Sequence, residues 1–306
     1  MDRRIKFRHL EAFGAIARAR SFKHAAEHLN LTQPAISKTL RDLEDILGVK
    51  VMERSRAGVA LTPEGEIFLH FAEQSTAALR QGLHSLRGGA GATGRLRVGA
   101  LPSVASTLLP QAAMAFATSD PDTLLEVHEG PHHDLTARLR SGTLDLVVGR
   151  LGRPETMAGL GFQQLYAEAV VIVAQPGSAA SAVRAFDALD AFRVIYPPKD
   201  SAIRSLVARM LISMGVPLFR NRIESTSPGF GRATVMADPG SVWIISRGVV
   251  AADLAEGRLV ALDIDTTPTV GAVGIMSRAE EVPSVPARAF CRVLGRLCRH
   301  EAGIDD

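Results

Sequence analysis

The sequence predicts an α/β protein headed by a small all-α unit with a β-hairpin wing. Three observations carry this. Residues 7–44 place apolar side chains at spacings of three and four, residues 49–61 switch to alternation, and from Arg95 onward short apolar runs alternate with helical patterns. With 306 residues, 46% hydrophobic and 22% charged, the chain has room for two or three folded units.

Phe7 to Arg20 reads as an opening helix with Leu10, Phe13, Ile16 and Ala17 inward. Ser21 is a candidate N-cap for a second helix, whose inward face is Phe22, Ala25, Ala26 and Leu29. The two alanines let another helix cross closely. Asn30 tolerates positive φ and ends the helix. Thr32 caps the third, and Pro34 sits in its first turn, where a missing N–H costs little. Ile36, Leu40 and Leu43 then face inward, and Gln33, Ser37, Lys38 and Arg41 face outward. Any helix pair in a small core shows an apolar stripe and a polar face, so spacing leaves open a plain packing unit or a major-groove reader. Charge favours the reader. Residues 1–60 hold 12 Lys and Arg against 7 Asp and Glu, a net +5, whereas the whole chain is +3. Positive charge concentrated at one end suits a phosphate-binding module.

Gly48 is placed to end the third helix. Val49 to Leu61 then reads as two short strands with a tip at Ser55-Arg56-Ala57-Gly58. Such a wing, bearing Arg54 and Arg56, either reaches a DNA backbone or merely closes the domain. Thr62-Pro63-Glu64 is a cap, an N1 proline and a first-turn acid for a long helix to about Arg87. Its seam of Ile67, Phe68, Phe71, Ser75, Ala78, Leu79, Leu83 and Leu86 exceeds what a 60-residue domain can cover. A second copy of the helix is the natural cover, with packing on the chain's own larger domain the alternative. Gly88 to Gly94 is a glycine-rich break. The expected domains are therefore 1–62, a linker helix and hinge over 63–94, and an α/β remainder over 95–306.

In that remainder, strands are expected at 96–100, 124–128, 144–149, 162–165 and 170–174, and again at 192–196, 222–225, 242–245, 259–262 and 270–276. Helices are expected from about Val104 to Phe116, Leu135 to Ser141, Ser201 to Met214, Gly231 to Ala237 and Val285 to His300. This alternation implies parallel sheets covered on both faces. Ligands of such sheets sit beyond the carboxyl ends of the strands. Ser103 and Ser201, each read as standing at a helix start, are candidates to hold a carboxylate, although serines there are commonly ordinary caps. Thr226, and the cations Arg150, Lys199 and Arg204, lie near the same strand ends. The cations suit an anionic ligand, or serve in surface ion pairs.

Enzyme motifs are missing. His132-His133 reads as a loop pair with no cysteine or third histidine at metal spacing, and no nucleophile elbow or phosphate loop occurs. No metal or cofactor is implied. Cys291 and Cys298 lie about two helical turns apart, too far to bridge, and read as packing residues in a reducing cytoplasm. No apolar run is long enough to span a membrane, and the N-terminus lacks a secretory apolar segment.

The stretch from Phe7 to Gly65 resembles the winged helix-turn-helix of LysR-type transcriptional regulators. The residues that carry the likeness are Ser21-Phe22, Ala25-Ala26, Leu29, Thr32 to Ser37, Leu43-Glu44, Leu47-Gly48, Glu53-Arg54 and Leu61 to Gly65. The resemblance implies a regulator with a linker helix and a two-lobed, periplasmic-binding-protein-like effector domain. Lobe 1 would span about 95–166 and 268–306, and lobe 2 about 167–267. It implies double-stranded promoter DNA, a small-molecule effector and further copies of the chain, up to a tetramer, as partners, with RNA polymerase a further candidate. DNA-contacting roles fall on Gln33, Pro34, Ser37, Lys38 and Arg54. Chemically, Gln33 can pair with adenine and Lys38 with guanine or phosphate, while Arg54 would neutralise a phosphate. The family's cleft positions favour Ser103, Ser201 and Thr226 as effector ligands. Arg4 to Leu10, Val98 to Pro102, Asp145 to Leu151 and Met157 to Gly159 are similar to the branch that regulates protocatechuate catabolism and to its near relative that regulates a sugar-binding protein. The likeness implies an activator responding to a carboxylated ring-cleavage acid, with a different catabolic or sugar-uptake operon the alternative. A free-standing solute-binding module is the second hypothesis: it would explain residues 95–306 but not the basic helix pair. An enzyme on the same lobes is the third.

Overall fold

The structure, a computed structural model, describes residues 4–55, 58–87, 94–279 and 281–301. The chain divides into two compact units, one of residues 1–92 with 140–143 and the other of residues 93–139 and 144–306.

In the first unit, α1 (Phe7–Ala19), α2 (Phe22–His28) and α3 (Gln33–Leu47) surround a core in which Phe13, Ile16, Ala25, Ile36 and Leu43 are fully buried. Local chemistry sets the boundaries. The Ser21 hydroxyl accepts from the His24 N–H and the Thr32 hydroxyl from the Ala35 N–H. Asn30 takes a left-handed φ of 54° between α2 and α3, and Gly48 ends α3 at φ 71°. The wing pairs β1 (Met52–Ser55) with β2 (Gly58–Leu61), antiparallel; its tip, Arg56 and Ala57, lies outside the described residues. Thr62 then ties wing to helix: its hydroxyl donates to the Lys50 carbonyl (2.8 Å) and accepts from the Gly65 N–H (3.0 Å). Gly65 is forced by close approach, because a Cβ there would collide with the Val51 carbonyl oxygen. The linker helix α4 (Pro63–Arg87) follows, 25 residues long. It docks through Phe68, whose ring lies 5.4 Å from that of Phe13. Ile67, Phe71 and Leu79 remain exposed. The side chains of Ala78, Leu83 and Leu86, and the expected break from Gly88, lie outside the described residues.

The second unit has two lobes, each a five-stranded sheet. The first lobe contains β3 (Gly94–Ala100), α5 (Pro102–Ala105), α6 (Leu108–Ser119), β4 (Thr123–Glu129), α7 (His132–Arg140), β5 (Leu146–Arg150) and β6 (Leu160–Glu168). The second contains β7 (Val170–Ala174), β8 (Arg193–Tyr196), α8 (Arg204–Ser213), β9 (Arg222–Glu224), α9 (Pro228–Ala237), β10 (Ser241–Ser246), α10 (Ala251–Ala255) and β11 (Val260–Ala261). The chain then returns to the first lobe as β12 (Gly271–Arg278) and α11 (Val285–Glu301). The strand orders are β4-β3-β5-β12-β6 and β11-β7-β10-β8-β9. Apolar packing closes the first lobe, where Phe116 of α6 meets Phe290 of α11 edge to face at 5.3 Å. Cys291 and Cys298 are free thiols beside this core, and burial pushes Cys291 up to about 11, which keeps it a thiol.

Four expectations are corrected. The sheets are mixed, not parallel: β12 runs antiparallel to β5 and β6, and β7 antiparallel to β10 and β11. Strands such as β7, buried throughout, show the same unbroken apolar run in either direction. The helix expected from Val104 is two helices, α5 and α6, with Ser106 and Thr107 between them. α8 begins at Arg204, so Ser201 stands in the preceding turn and caps nothing. His132-His133 form the first turn of α7 and not a loop.

Candidate functional site

The exposed face of α3 comes first. With Ile36, Leu40 and Leu43 buried, the opposite side presents Gln33, Pro34, Lys38 and Arg41 to solvent, with Ser37 half-buried. Among the described residues Lys38 has no carboxylate partner. Arg41 folds back so that its Nε–H donates to the Ser37 carbonyl at 3.4 Å. Arg54 lies on β1 opposite Val59, and its side chain is outside the described part. Glu44 has a role that its place in the helical pattern does not announce. Its buried carboxylate accepts from the Val51 and Met52 N–H groups (3.1 and 3.3 Å) and from Lys50 Nζ (2.7 Å). Glu44 thereby fixes the root of the wing to α3. The bond in turn holds Lys50 above its ordinary pKa.

A second site lies in the second unit, where a cavity of about 350 Å³ opens between the lobes. Its walls come from the carboxyl ends of the strands. Ser103 follows β3, Arg150 ends β5, Ser201 follows β8, Thr226 follows β9 and Ser246 ends β10. The volume suits one small molecule. Three hydroxyls predicted from sequence, on Ser103, Ser201 and Thr226, therefore line a single cavity. Lys199 does not line it; exposed, it lines an adjoining cleft with His133. Arg204 turns away. From the first turn of α8 it bonds the Pro197 carbonyl (2.8 Å) and Glu224 (3.2 Å), and its guanidinium lies 4.6 Å over the Tyr196 ring. It joins β8 to β9 and touches no ligand space.

Arg150 is not a surface ion pair but a buried one, 3% exposed. Its Nη2 meets Glu168 Oε2 at 3.1 Å and its Nη1 donates to the Glu168 carbonyl at 2.9 Å. Nη2 also approaches Ser246 Oγ at 3.4 Å. Its Nε–H, equally buried, has no acceptor among the described residues. Glu168, at the crossing between lobes, also accepts from the Gly248 N–H (2.6 Å) and bonds the Ser103 hydroxyl. Gly248 has to be glycine, since a Cβ would stand 2.8 Å from the Ser103 carbonyl. Burial raises the Glu168 carboxyl above the usual range, with Arg150 opposing, and burial lowers Arg150. Glu168, Ser246 and the buried, cavity-lining His132 were not among the site residues expected from sequence. A carboxylate just before the unbroken apolar run Val170 to Ala174 was the available signal.

Comparison with known proteins decides the family. Residues 7–66 match the model of the bacterial regulatory helix-turn-helix protein of the lysR family, and residues 89–299 match the LysR substrate binding domain. The chain belongs to the LysR family. It is a DNA-binding LysR-type transcriptional regulator with an effector-binding domain. The HTH-type transcriptional regulator PcaQ of Agrobacterium fabrum is 42% identical over 94% of this chain and 93% of that protein. The uncharacterised HTH-type transcriptional regulator YdcI of Escherichia coli is 34% identical over 91% of each. Among solved structures, a full-length variant of OxyR from Pseudomonas aeruginosa superposes with a TM-score of 0.62 at 25% identity, covering 96% of this chain and 95% of that one. LysR-type regulators bind promoter DNA and small-molecule effectors. Among the described residues no helix is long and apolar enough to cross a membrane, and no cluster of three His, Cys, Asp or Glu is placed to hold a metal.

Proposed function

We propose that this LysR-type regulator activates an operon for the breakdown of an aromatic acid of the protocatechuate type, in response to a carboxylated ring-cleavage intermediate. Likeness to PcaQ along 94% of the chain supports the pathway class. The single observation that carries the chemistry is the inter-lobe cavity itself, where hydroxyls of Ser103, Ser201 and Thr226 surround a space bordered by the buried Arg150. With the Ser103 hydroxyl engaged by Glu168, Ser201 and Thr226 supply the short hydroxyl donors that hold a carboxylate without the desolvation cost of a second buried cation. Lys199 and Arg204 take no part in this reading.

On the DNA side, Gln33, Pro34 and Ser37 read base edges from α3, whereas Lys38, Arg41 and Arg54 serve phosphates. Exposed Ile67, Phe71 and Leu79 on α4 support a dimer closed by a second linker helix, and pairs of dimers then form a tetramer. An effector that prefers one spacing of the lobes shifts that population, and linked reading heads convert the shift into a changed DNA bend. RNA polymerase is the partner that an activator then engages. The test is a footprint and mobility shift on the upstream intergenic DNA, with and without ring-cleavage acids, beside a thermal-shift screen of the same acids. Expected are a specific shift, and a footprint altered by one acid that also raises the melting temperature. A footprint indifferent to every acid in the screen overturns the effector class, and loss of any specific shift overturns the reader.

A further inference from the structure

Sharing Arg150 and Ala202 with the effector cavity is a larger groove of about 530 Å³. Its cations are Arg150, Arg153 and Arg209, and no Asp or Glu lines it. That composition stands out in this unit. Arg150 itself is matched by Glu168, as are many of the unit's other arginines by their own carboxylates: Arg193 with Asp238, Arg232 and Arg258 with Asp253, Arg278 with Glu281. The effector cavity, too, balances Arg150 with Glu129 and Asp200 on its walls. Arg153 and Arg209, both exposed, have no ion pair or side-chain hydrogen bond among the described residues. The third cation, Arg150, is more than nine-tenths buried and carries the unfilled Nε–H. Arg153 and Arg209 therefore bring two unmatched positive charges to one concavity, and an anion relieves their repulsion.

The shape is built for close approach. Gly271 lies on the groove wall, and a Cβ there would stand 2.7 Å from Arg150 Nη1. Any larger residue would displace the guanidinium. Exposed Leu151 and Val270 form an apolar rim. Arg153 follows β5 in the first lobe, whereas Arg209 projects from α8 in the second. We propose that this groove is a second ligand site, for a small metabolite bearing two or more oxyanion groups, phosphate or carboxylate, clamped between guanidinium groups of both lobes. Planar guanidinium forks match either oxyanion with paired hydrogen bonds. Because Arg150 borders both spaces, the second ligand meets the same guanidinium that Glu168 holds, and the two sites are coupled reciprocally.

Calorimetric titration of the full-length protein with inorganic pyrophosphate and, separately, with citrate tests this at constant ionic strength. Wild-type protein is expected to bind at least one probe saturably. The double variant Arg153→Ala, Arg209→Ala should weaken that binding tenfold or more while keeping the operator shift, which checks its fold. Ser201→Ala, on the effector cavity side, should leave it unchanged. The tighter probe names the source, phosphate ester or polycarboxylate. Absence of saturable binding by both probes overturns the proposal. So does binding lost in Ser201→Ala but kept in the double variant, which would place the anion in the effector cavity and leave the reading of that cavity standing.

Discussion

The exposed polar face of α3, proposed to read DNA, and the inter-lobe cavity are built by opposite means. Gln33 to Arg41 is nine consecutive positions whose polar side is exposed while Ile36 and Leu40 hold the helix in place. The cavity draws on side chains from Ser103 to Ser246, brought together only when both sheets and both crossings have formed. In the first case function is separable from stability, since the functional atoms carry none of the core. In the second they coincide, because Arg150 lines the cavity and, through its ion pair with Glu168, is also part of the joint between lobes.

The largest expected effect breaks this comparison at its weaker end. Glu168→Ala leaves a guanidinium that is 3% exposed without its carboxylate. A buried charge stripped of its partner costs about 3–5 kcal/mol. Urea denaturation should therefore show the second unit severely destabilised. Wild-type stability would mean that Arg150 is solvated by other means and that wall and joint are separate. Gln33→Ala is the counterpart on α3. It should lose about 1–3 kcal/mol of operator discrimination, measured by quantitative mobility shift against a scrambled site, with the melting temperature unmoved. A fall in melting temperature alongside would show that the reading face is part of the core after all.

This difference also explains what the sequence disclosed. Ser21, Asn30, Thr32, Pro34 and Gly48 are local devices, each acting within four residues, and each is found at the boundary expected of it. The polar side of α3 followed from the same periodicity. In the second unit the hydroxyls of Ser103, Ser201 and Thr226 were found from strand ends, which are local too. The fate of the cations was not local. Whether Arg150 meets Glu168, and Arg204 meets Glu224 and Tyr196, depends on partners 18, 20 and 8 positions away across separate strands. Strand direction was hidden for a similar reason, because full burial erases the alternation that betrays an antiparallel neighbour. Glu44 shows the same limit within the first unit, since its partners lie beyond the end of its own helix.

A smaller effect sharpens the cavity side of the comparison. Ser201 stands in a turn before α8 and is half-buried, with no cap to supply. Ser201→Ala should therefore leave stability unchanged and remove a single hydrogen bond to the effector, worth about 1 kcal/mol, or roughly a fivefold rise in Kd. Titration of the ring-cleavage acid that gives the footprint change would measure it. An unaltered Kd would move the effector away from the second lobe's wall and towards Ser103 and Arg150.

Acidification should separate the stabilities of the two units by the smallest but most diagnostic amount. His9 on α1 is buried, and its Nδ1 accepts the Lys6 N–H at 3.2 Å, which only the neutral ring can do. Burial, and then Arg8, lower its pKa. Its contribution is therefore present above the unfolded value near 6.5 and is lost as pH falls through the lowered folded value. Glu168 has the opposite sign. Burial raises its pKa, so the stability linked to protonation is fully present below the unfolded value of about 4.3 and is lost as pH rises through the raised folded one. Calorimetric scans from about pH 7.5 down to about pH 5 should show the transition of the first unit moving to lower temperature relative to that of the second. His9→Gln, which keeps an acceptor but cannot take up the proton, should remove the first unit's share of the relative movement and leave only the share of Glu168. If the two transitions track each other in that variant and in the wild type alike, the pH response belongs to neither buried group.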